Sequence, residues 1–220
     1  ADRTGDAPRR PLGPLELLWL VPDLPEGKFD HGDDATVGVT GRHENNCTLL
    51  PNGGITVLRE GIDPKSIGVQ MTYGDWGSAH THPELLAITV SAGGHLVIPE
   101  VRYHSYGHED FLSWDRQSIA HNTVTVDEVS QYPQDVPDPW VVERNGKQAR
   151  GRPLFFRAGE DFKAFGAECD AAYEGVLLSR AVALVDSTIV DFYRCRSASE
   201  HTYDFALHID GTLAHSTIPL

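Results

Sequence analysis

Short apolar and β-branched runs alternate with glycine, asparagine and aspartate from about residue 36 onward. Such runs, joined by links of hairpin length, have the composition of β-strands. Because no helical pattern of about 10 to 15 residues separates them, antiparallel pairing is favoured over a parallel sheet. The pattern predicts an all-β fold, an antiparallel β-sandwich of two stacked sheets. The predicted strands cover residues 54–60, 66–74, 85–91, 95–100, 122–128, 139–144, 153–158, 162–168, 175–185, 188–195 and 202–210.

The first thirty residues have a different texture. Residues 1–30 hold five of the fourteen prolines, around one short apolar turn, PLELLWL. This composition predicts a Pro-rich N-terminal leader over 1–30 and a β-sandwich domain over 31–220. The last predicted strand runs into HIDGTLAHSTIPL without a polar tail, so we expect both ends to be cuts within a longer protein.

The charge of the chain narrows the class of partner, and its cysteine content bears on disulfide bonding. The formal net charge is -14 and the sequence pI is about 5.1, which argues against nucleic acid or an anionic membrane surface as a partner. No apolar run approaches the roughly 20 residues of a membrane span. Cys47, Cys169 and Cys195 are scattered without C-x-x-C spacing, so buried thiols are favoured over a disulfide.

Histidines concentrate in one part of the chain. In an extended segment His80 and His82 lie on the same face, because side chains alternate with period two. Imidazole is the commonest metal ligand, and Glu84 and Glu100 are nearby carboxylates that could complete a zinc site. The cluster consists of His80, His82, His95, His104, His108 and His121, six of the eleven histidines.

Two alternatives remain open from these residues alone. Gly93, Pro99 and His104 fit part of the second cupin motif, which would make the chain a metal-dependent oxygenase or isomerase that uses His80, His82 and His104. The ligand carboxylate of the first cupin motif is missing, because an apolar residue stands in its place. The other alternative is a carbohydrate-binding sandwich that performs no chemistry.

A longer pattern resembles a known family. HTHPELLAITVSAGGHLVIPEVRYHSYG at 80–107 and WDRQSIAHNTVTVDEVSQ at 114–131 resemble the heparinase II/III-like polysaccharide lyases. The sheet domain of those proteins reads approximately H-x-H-P-D-x-L, then an acid before S-Y, then W-x-R and A-H-N-T-V-x-V-D. The resemblance extends over most of residues 15–212, and its most specific part is H-N-T-V-x-V-D.

The resemblance implies a zinc ion held by His82, Glu100 and His121. The acid is usually aspartate in the family, so Glu100 lengthens that ligand by one methylene. In a hairpin that turns at the Gly-Gly pair, Glu100 would lie opposite Ala87, roughly 16 Å along the strand from His82. The segment around Pro83 must therefore fold back or bulge if these residues are to share one ion.

The resemblance also implies an activity, which is cleavage of uronic-acid polysaccharides by β-elimination. It gives His80 and Tyr106 catalytic positions and Arg116 a position that binds substrate. Other catalytic groups would come from an N-terminal helical toroid that is absent from this chain. We therefore expect an acidic polysaccharide as substrate, a periplasmic or secreted location, and little or no activity from this chain alone.

Overall fold

The fold is described from a computed structural model of the chain. The structure describes residues 42–74, 82–100, 104–105, 107–131, 143–144, 147–148, 150–212 and 214–215. The predicted leader at 1–30 and most of the predicted strand at 139–144 lie outside these ranges. Within the described ranges, no helix has the length and apolar character needed to cross a membrane.

The secondary structure is almost entirely β, as the pattern predicted. In chain order the strands are β1 (Arg42–Glu44), β2 (Cys47–Leu50), β3 (Ile55–Arg59), β4 (Gly68–Thr72), β5 (Ala87–Ala92), β6 (His95–Ile98), β7 (Val124–Val126), β8 (Glu143–Arg144), β9 (Lys147–Gln148), β10 (Arg152–Ala158), β11 (Phe162–Tyr173), β12 (Val176–Val185), β13 (Thr188–Ser197) and β14 (Tyr203–Phe205). Two short helical turns, Phe111–Asp115 and Ser118–Ala120, lie between β6 and β7.

The strands form two main antiparallel sheets. Strands β1 to β6 make a six-stranded sheet in sequence order, and β10 to β13 make a four-stranded sheet in sequence order. Strand β7 pairs with β14, and β8 pairs with β9, in separate two-stranded sheets. Every described pairing between strands is antiparallel, which confirms the predicted mode of assembly.

One apolar core is shared by the two main sheets. Residues alternate between buried and half-buried along β12, as expected when one face of a strand packs against another layer. Leu58 and Met71 of the first sheet belong to the same buried cluster as Phe165 and Leu178 of the second. The Tyr73 ring, which follows β4, lies with its centroid 5.2 Å from that of Phe165. The shared core confirms the prediction of a sandwich of stacked sheets.

Differences from the predicted strands have local causes. Strands β1 and β2 were not predicted, because β1 is short and exposed and joins β2 through Asn45 and Asn46 rather than through glycine. Strand β14 ends at Phe205, whereas the pattern predicted a strand over 202–210. The prediction of buried thiols is confirmed for Cys47 and Cys169, which are buried free cysteines.

Candidate metal centre

The segment after His82 folds back on itself before β5 begins. The Glu84 N–H donates to the His82 carbonyl at 2.9 Å, and the Ala87 N–H donates to the Glu84 carbonyl at 2.9 Å. Leu86 has a φ of 63°, a left-handed conformation that is uncommon for a residue other than glycine. These contacts confirm that the chain leaves the ladder around Pro83, so His82 does not continue the line of β5.

The β5–β6 hairpin also departs from a regular ladder. Gly93 and Gly94 form the turn with φ values of 63° and 86°. The register then shifts between Val90 and Ser91, which marks a bulge in the pairing with β6. Glu100 lies two residues beyond Ile98, the last residue of β6. A flat hairpin would separate His82 from Glu100 by roughly 16 Å along the strand. The turn after His82 and the bulge at Val90 and Ser91 make the hairpin depart from that geometry.

Asn122, the second residue of the H-N-T segment, holds three parts of the chain together. Its Nδ2 donates to the carbonyls of Ile88 at 3.0 Å and Pro99 at 2.8 Å. Its Oδ1 accepts the His208 N–H at 2.7 Å. Asn122 is fully buried, so each of these contacts satisfies a main-chain group with little access to water. The position of Glu100, which follows Pro99, is set by this clamp.

The turn at 82–86 is fixed by three other polar side chains. The Ser118 hydroxyl donates to the Pro83 carbonyl at 2.6 Å, and the Thr123 hydroxyl donates to the Leu85 carbonyl at 2.8 Å. The Leu85 N–H donates to Oε1 of Gln131 at 2.7 Å. All three side chains are fully buried. The segment between Ser118 and Gln131 therefore provides the frame in which His82 and Glu84 are placed.

Arg180 on β12 brings the second sheet into this frame. Its Nη1 donates to the carbonyls of Leu86 at 2.7 Å and Asn122 at 2.6 Å. Its Nε and Nη2 pair with the Asp191 carboxylate at 2.8 Å and 2.5 Å, so the buried positive charge is balanced. Sequence reasoning missed this residue, because it lies far along the chain from the histidine-rich segment.

His121 is the centre of the site. It is fully buried, and its Nε2–H donates to the Asp115 carbonyl at 3.0 Å, which directs Nδ1 toward the carboxylates. Nδ1 contacts Oε1 of Glu100 and lies 3.8 Å from Oε2 of Glu84. Glu84, Glu100 and His121 each place one ligand atom within 4.8 Å of the others. The His82 ring centroid is 5.2 Å from that of His121.

The carboxylates and imidazoles of the site perturb one another's pKa values. Burial raises the pKa of Glu84 well above its ordinary value, and the charge and hydrogen bond of Glu100 raise it further. Burial lowers the pKa of His82, and the neighbouring His121 lowers it further, so His82 is held as a neutral imidazole. Two crowded carboxylates beside two imidazoles form a donor set of nitrogen and oxygen atoms that fits zinc.

The structure thus brings together two of the three predicted metal ligands and places the third beside them. It adds Glu84, a carboxylate that the resemblance does not place among the ligands. Arg116 is 6% exposed, and its guanidinium carbon lies 6.0 Å from the centroid of the Phe111 ring. Its role in substrate binding stays a prediction. His80 and Tyr106 lie outside the described residues, so their catalytic roles also stay predictions.

Comparison with known proteins gives the class of this domain. Residues 42–218 match the family model described as heparinase II/III-like, C-terminal. The match includes both main sheets and the whole His121 site. The chain belongs to the heparinase II/III-like family, which confirms the resemblance seen in the sequence and supersedes the cupin alternative.

Curated relatives and solved structures agree with this assignment. The chain is 28% identical over 120 residues to an exo-oligoalginate lyase of Saccharophagus degradans, covering 52% of this chain and 15% of that protein. It is 30% identical over 110 residues to an alginate lyase of Stenotrophomonas maltophilia, covering 45% of this chain and 13% of that protein.

Two solved structures show the shared fold. A heparinase III superimposes with a TM-score of 0.60 and 21% identity, covering 78% of this chain and 26% of that chain. The heparan sulfate lyase HepC from Pedobacter heparinus superimposes with a TM-score of 0.55 and 18% identity, covering 75% and 24%. The chain therefore spans about a quarter or less of the length of these relatives.

Proposed function

We propose that this chain is the sheet domain of a lyase that cleaves uronic-acid-containing polysaccharides by β-elimination. The observation that carries the proposal is the family match over residues 42–218. The names of the relatives support it, since alginate and heparan sulfate are both built from uronic acids. The acidic charge of this chain is consistent with the proposal if the cationic groups that contact the polymer lie on a helical domain.

The reaction needs three chemical contributions. The C5 proton of a uronic acid is weakly acidic, so the enzyme neutralises the adjacent carboxylate, removes the proton with a base, and protonates the leaving O4 oxygen. We assign the catalytic positions in this chain to His80 and Tyr106, whose side chains suit proton transfer. Arg116 is assigned to substrate binding. The remaining groups would come from an N-terminal helical toroid.

We also propose that the site centred on His121 holds a zinc ion. His121 and Glu100 would bind it directly, and His82 and Glu84 would complete the set. When bound, zinc would neutralise the clustered carboxylates and link three segments of chain that are distant in sequence. The contact of the buried His121 Nδ1 with Glu100, beside the Glu84 carboxylate, supports this assignment. The role is structural, because the residues join the turn at 82–86 to the segment that follows β6.

Zinc binding is tested by thermal unfolding of the full chain after its metal has been removed with a chelator. We expect added zinc to raise the melting temperature, because an ion that binds only the folded state stabilises it. The increase should be smaller in His121→Ala, which lacks a ligand of the proposed site. The matched control is His95→Ala, since His95 is exposed on β6, and it should respond to zinc as the wild type does. A full response of His121→Ala would contradict the proposed site.

The lyase activity is tested by the ultraviolet absorbance of unsaturated products. We expect turnover of a uronic-acid polymer, with alginate and heparan sulfate as the first substrates, when the chain is joined to the helical domain of its full-length protein. The chain alone should give little or no product. Robust turnover by the chain alone would show that the toroid is not required. No turnover of any uronic-acid polymer by the full-length protein would contradict the lyase assignment.

A further inference from the structure

A second group of metal-binding side chains lies outside the His121 site. His104, His108 and Asp110 each place one ligand atom within 4.8 Å of the other two. The two imidazole rings stack with their centroids 4.4 Å apart and their planes inclined by 21°. The proposed function uses none of these three residues.

His104 is oriented as a metal ligand would be. Its Nδ1 lies 2.9 Å and 3.0 Å from the two carboxylate oxygens of Asp115, and its main-chain N–H donates to Oδ2 at 2.7 Å. Asp115 is fully buried, whereas the His104 side chain is 34% exposed. Because Nδ1–H donates to the carboxylate, the lone pair of the neutral His104 ring is on Nε2. Histidines that bind metals are commonly held by a carboxylate in this way.

His108 and Asp110 supply the other two donors. The Asp110 N–H donates to Nδ1 of His108 at 3.1 Å, a hydrogen bond that an ion would replace by binding this nitrogen. It lies 3.6 Å from Oδ2 of Asp110. Two ligand atoms of a tetrahedral zinc ion are about 3.3 Å apart, so a small movement brings them to a common ion. The two side chains are 45% and 50% exposed, which gives an ion direct access from solvent.

We propose that His104, His108 and Asp110 form a second site for a divalent transition-metal ion of the zinc class, with Asp115 as the residue that positions His104. Two imidazoles and one carboxylate are ligands that suit zinc, cobalt or nickel rather than calcium or magnesium. Three protein ligands leave one coordination position for water or for an anionic ligand. The proposal does not depend on the lyase assignment.

Asp115 contacts both sites through different atoms. Its carboxylate accepts from Nδ1 of His104, while its main-chain carbonyl accepts from Nε2 of His121. A substitution of the Asp115 side chain therefore removes a direct contact of the second site, while the main-chain contact with His121 remains. This difference makes the two sites separable in one experiment.

The test is a Co²⁺ titration of the metal-free full chain, read by visible absorbance and repeated as a Zn²⁺ competition. We expect two equivalents to bind to the wild type. The double variant His104→Ala with His108→Ala should bind one equivalent, at the His121 site. His121→Ala should bind one equivalent, at the second site. Glu109→Gln is the matched control, because Glu109 lies between His108 and Asp110 in the sequence but does not belong to the site. This variant should bind two equivalents.

The positioning role is tested by Asp115→Asn. Loss of the carboxylate should weaken the second site by about 10-fold to 100-fold while the affinity of the His121 site stays unchanged. The second site is refuted if the wild type binds one equivalent that is lost in His121→Ala, or if the double variant keeps two. One equivalent that is lost only in the double variant would support the second site and contradict the proposed zinc site. Equal weakening of both sites by Asp115→Asn would contradict the positioning role.

Discussion

Asn122→Ala tests whether the clamp around the His121 site stabilises the fold. The substitution removes three hydrogen bonds, from Nδ2 to the carbonyls of Ile88 and Pro99 and from the His208 N–H to Oδ1. At about 1 kcal/mol for each bond, the loss in the free energy of unfolding is about 3 kcal/mol. This is a large fraction of the roughly 5 to 15 kcal/mol that stabilises a typical domain.

The measurement is urea unfolding of the full chain in the presence of a chelator, so that metal binding does not contribute. Ser113→Ala is the matched control, since it removes one exposed hydrogen bond, which the hydroxyl donates to the Glu109 carbonyl at 2.8 Å. It should cost less than about 0.5 kcal/mol. Asn122→Asp keeps an acceptor for His208 but places an oxygen against two carbonyls, so it should destabilise at least as much as alanine. The reasoning would be refuted if Asn122→Ala lowered the free energy of unfolding by less than about 1 kcal/mol while the slope of that free energy against urea concentration stayed unchanged.

Three further substitutions probe other parts of the structure. Arg180→Met should cost about 3 to 5 kcal/mol in urea unfolding, because it breaks a buried ion pair and removes the hydrogen bonds that Nη1 donates to the carbonyls of Leu86 and Asn122. The Tyr73 hydroxyl has no hydrogen-bond partner among the described residues, and burial raises its pKa to about 12. The stability due to the neutral phenol is complete below the unfolded pKa of about 10 and is lost as pH rises toward 12, so Tyr73→Phe should flatten the pH dependence in that window and cost nothing at neutral pH. Gly54→Ala should prevent stable folding, measured by circular dichroism, because its Cβ would lie 1.9 Å from Cα of Gly74; Gly53→Ala, whose Cβ would approach nothing closer than 3.7 Å, should be tolerated.

The alternation of apolar and polar residues predicted the fold where one face of a strand lies in the shared core. Strand β12 is the clearest case, since burial alternates along its whole length. Strand β1 could not be predicted in this way, because all three of its residues are exposed and their hydropathy has no period to detect.

The candidate site was predicted in part, through a longer pattern rather than through local spacing. His121 and Glu100 were placed together by the resemblance, and the structure brings them into contact. Glu84 was not chosen as a ligand because its position depends on the left-handed conformation of Leu86, which the residue type does not indicate. The contact of His104 with Asp115 spans 11 residues and a helical turn, so no strand or helix period predicts it.

The central claim is that zinc binds at the meeting point of the turn at 82–86, the segment after β6 and the H-N-T segment. The most direct measurement is an anomalous difference map, recorded at the zinc absorption edge from crystals of the full chain grown with zinc. The account predicts a peak about 2.0 to 2.2 Å from Nδ1 of His121, with an oxygen of Glu100 at a similar distance. A map without a peak there, in crystals where His121 still contacts Glu100, would contradict it.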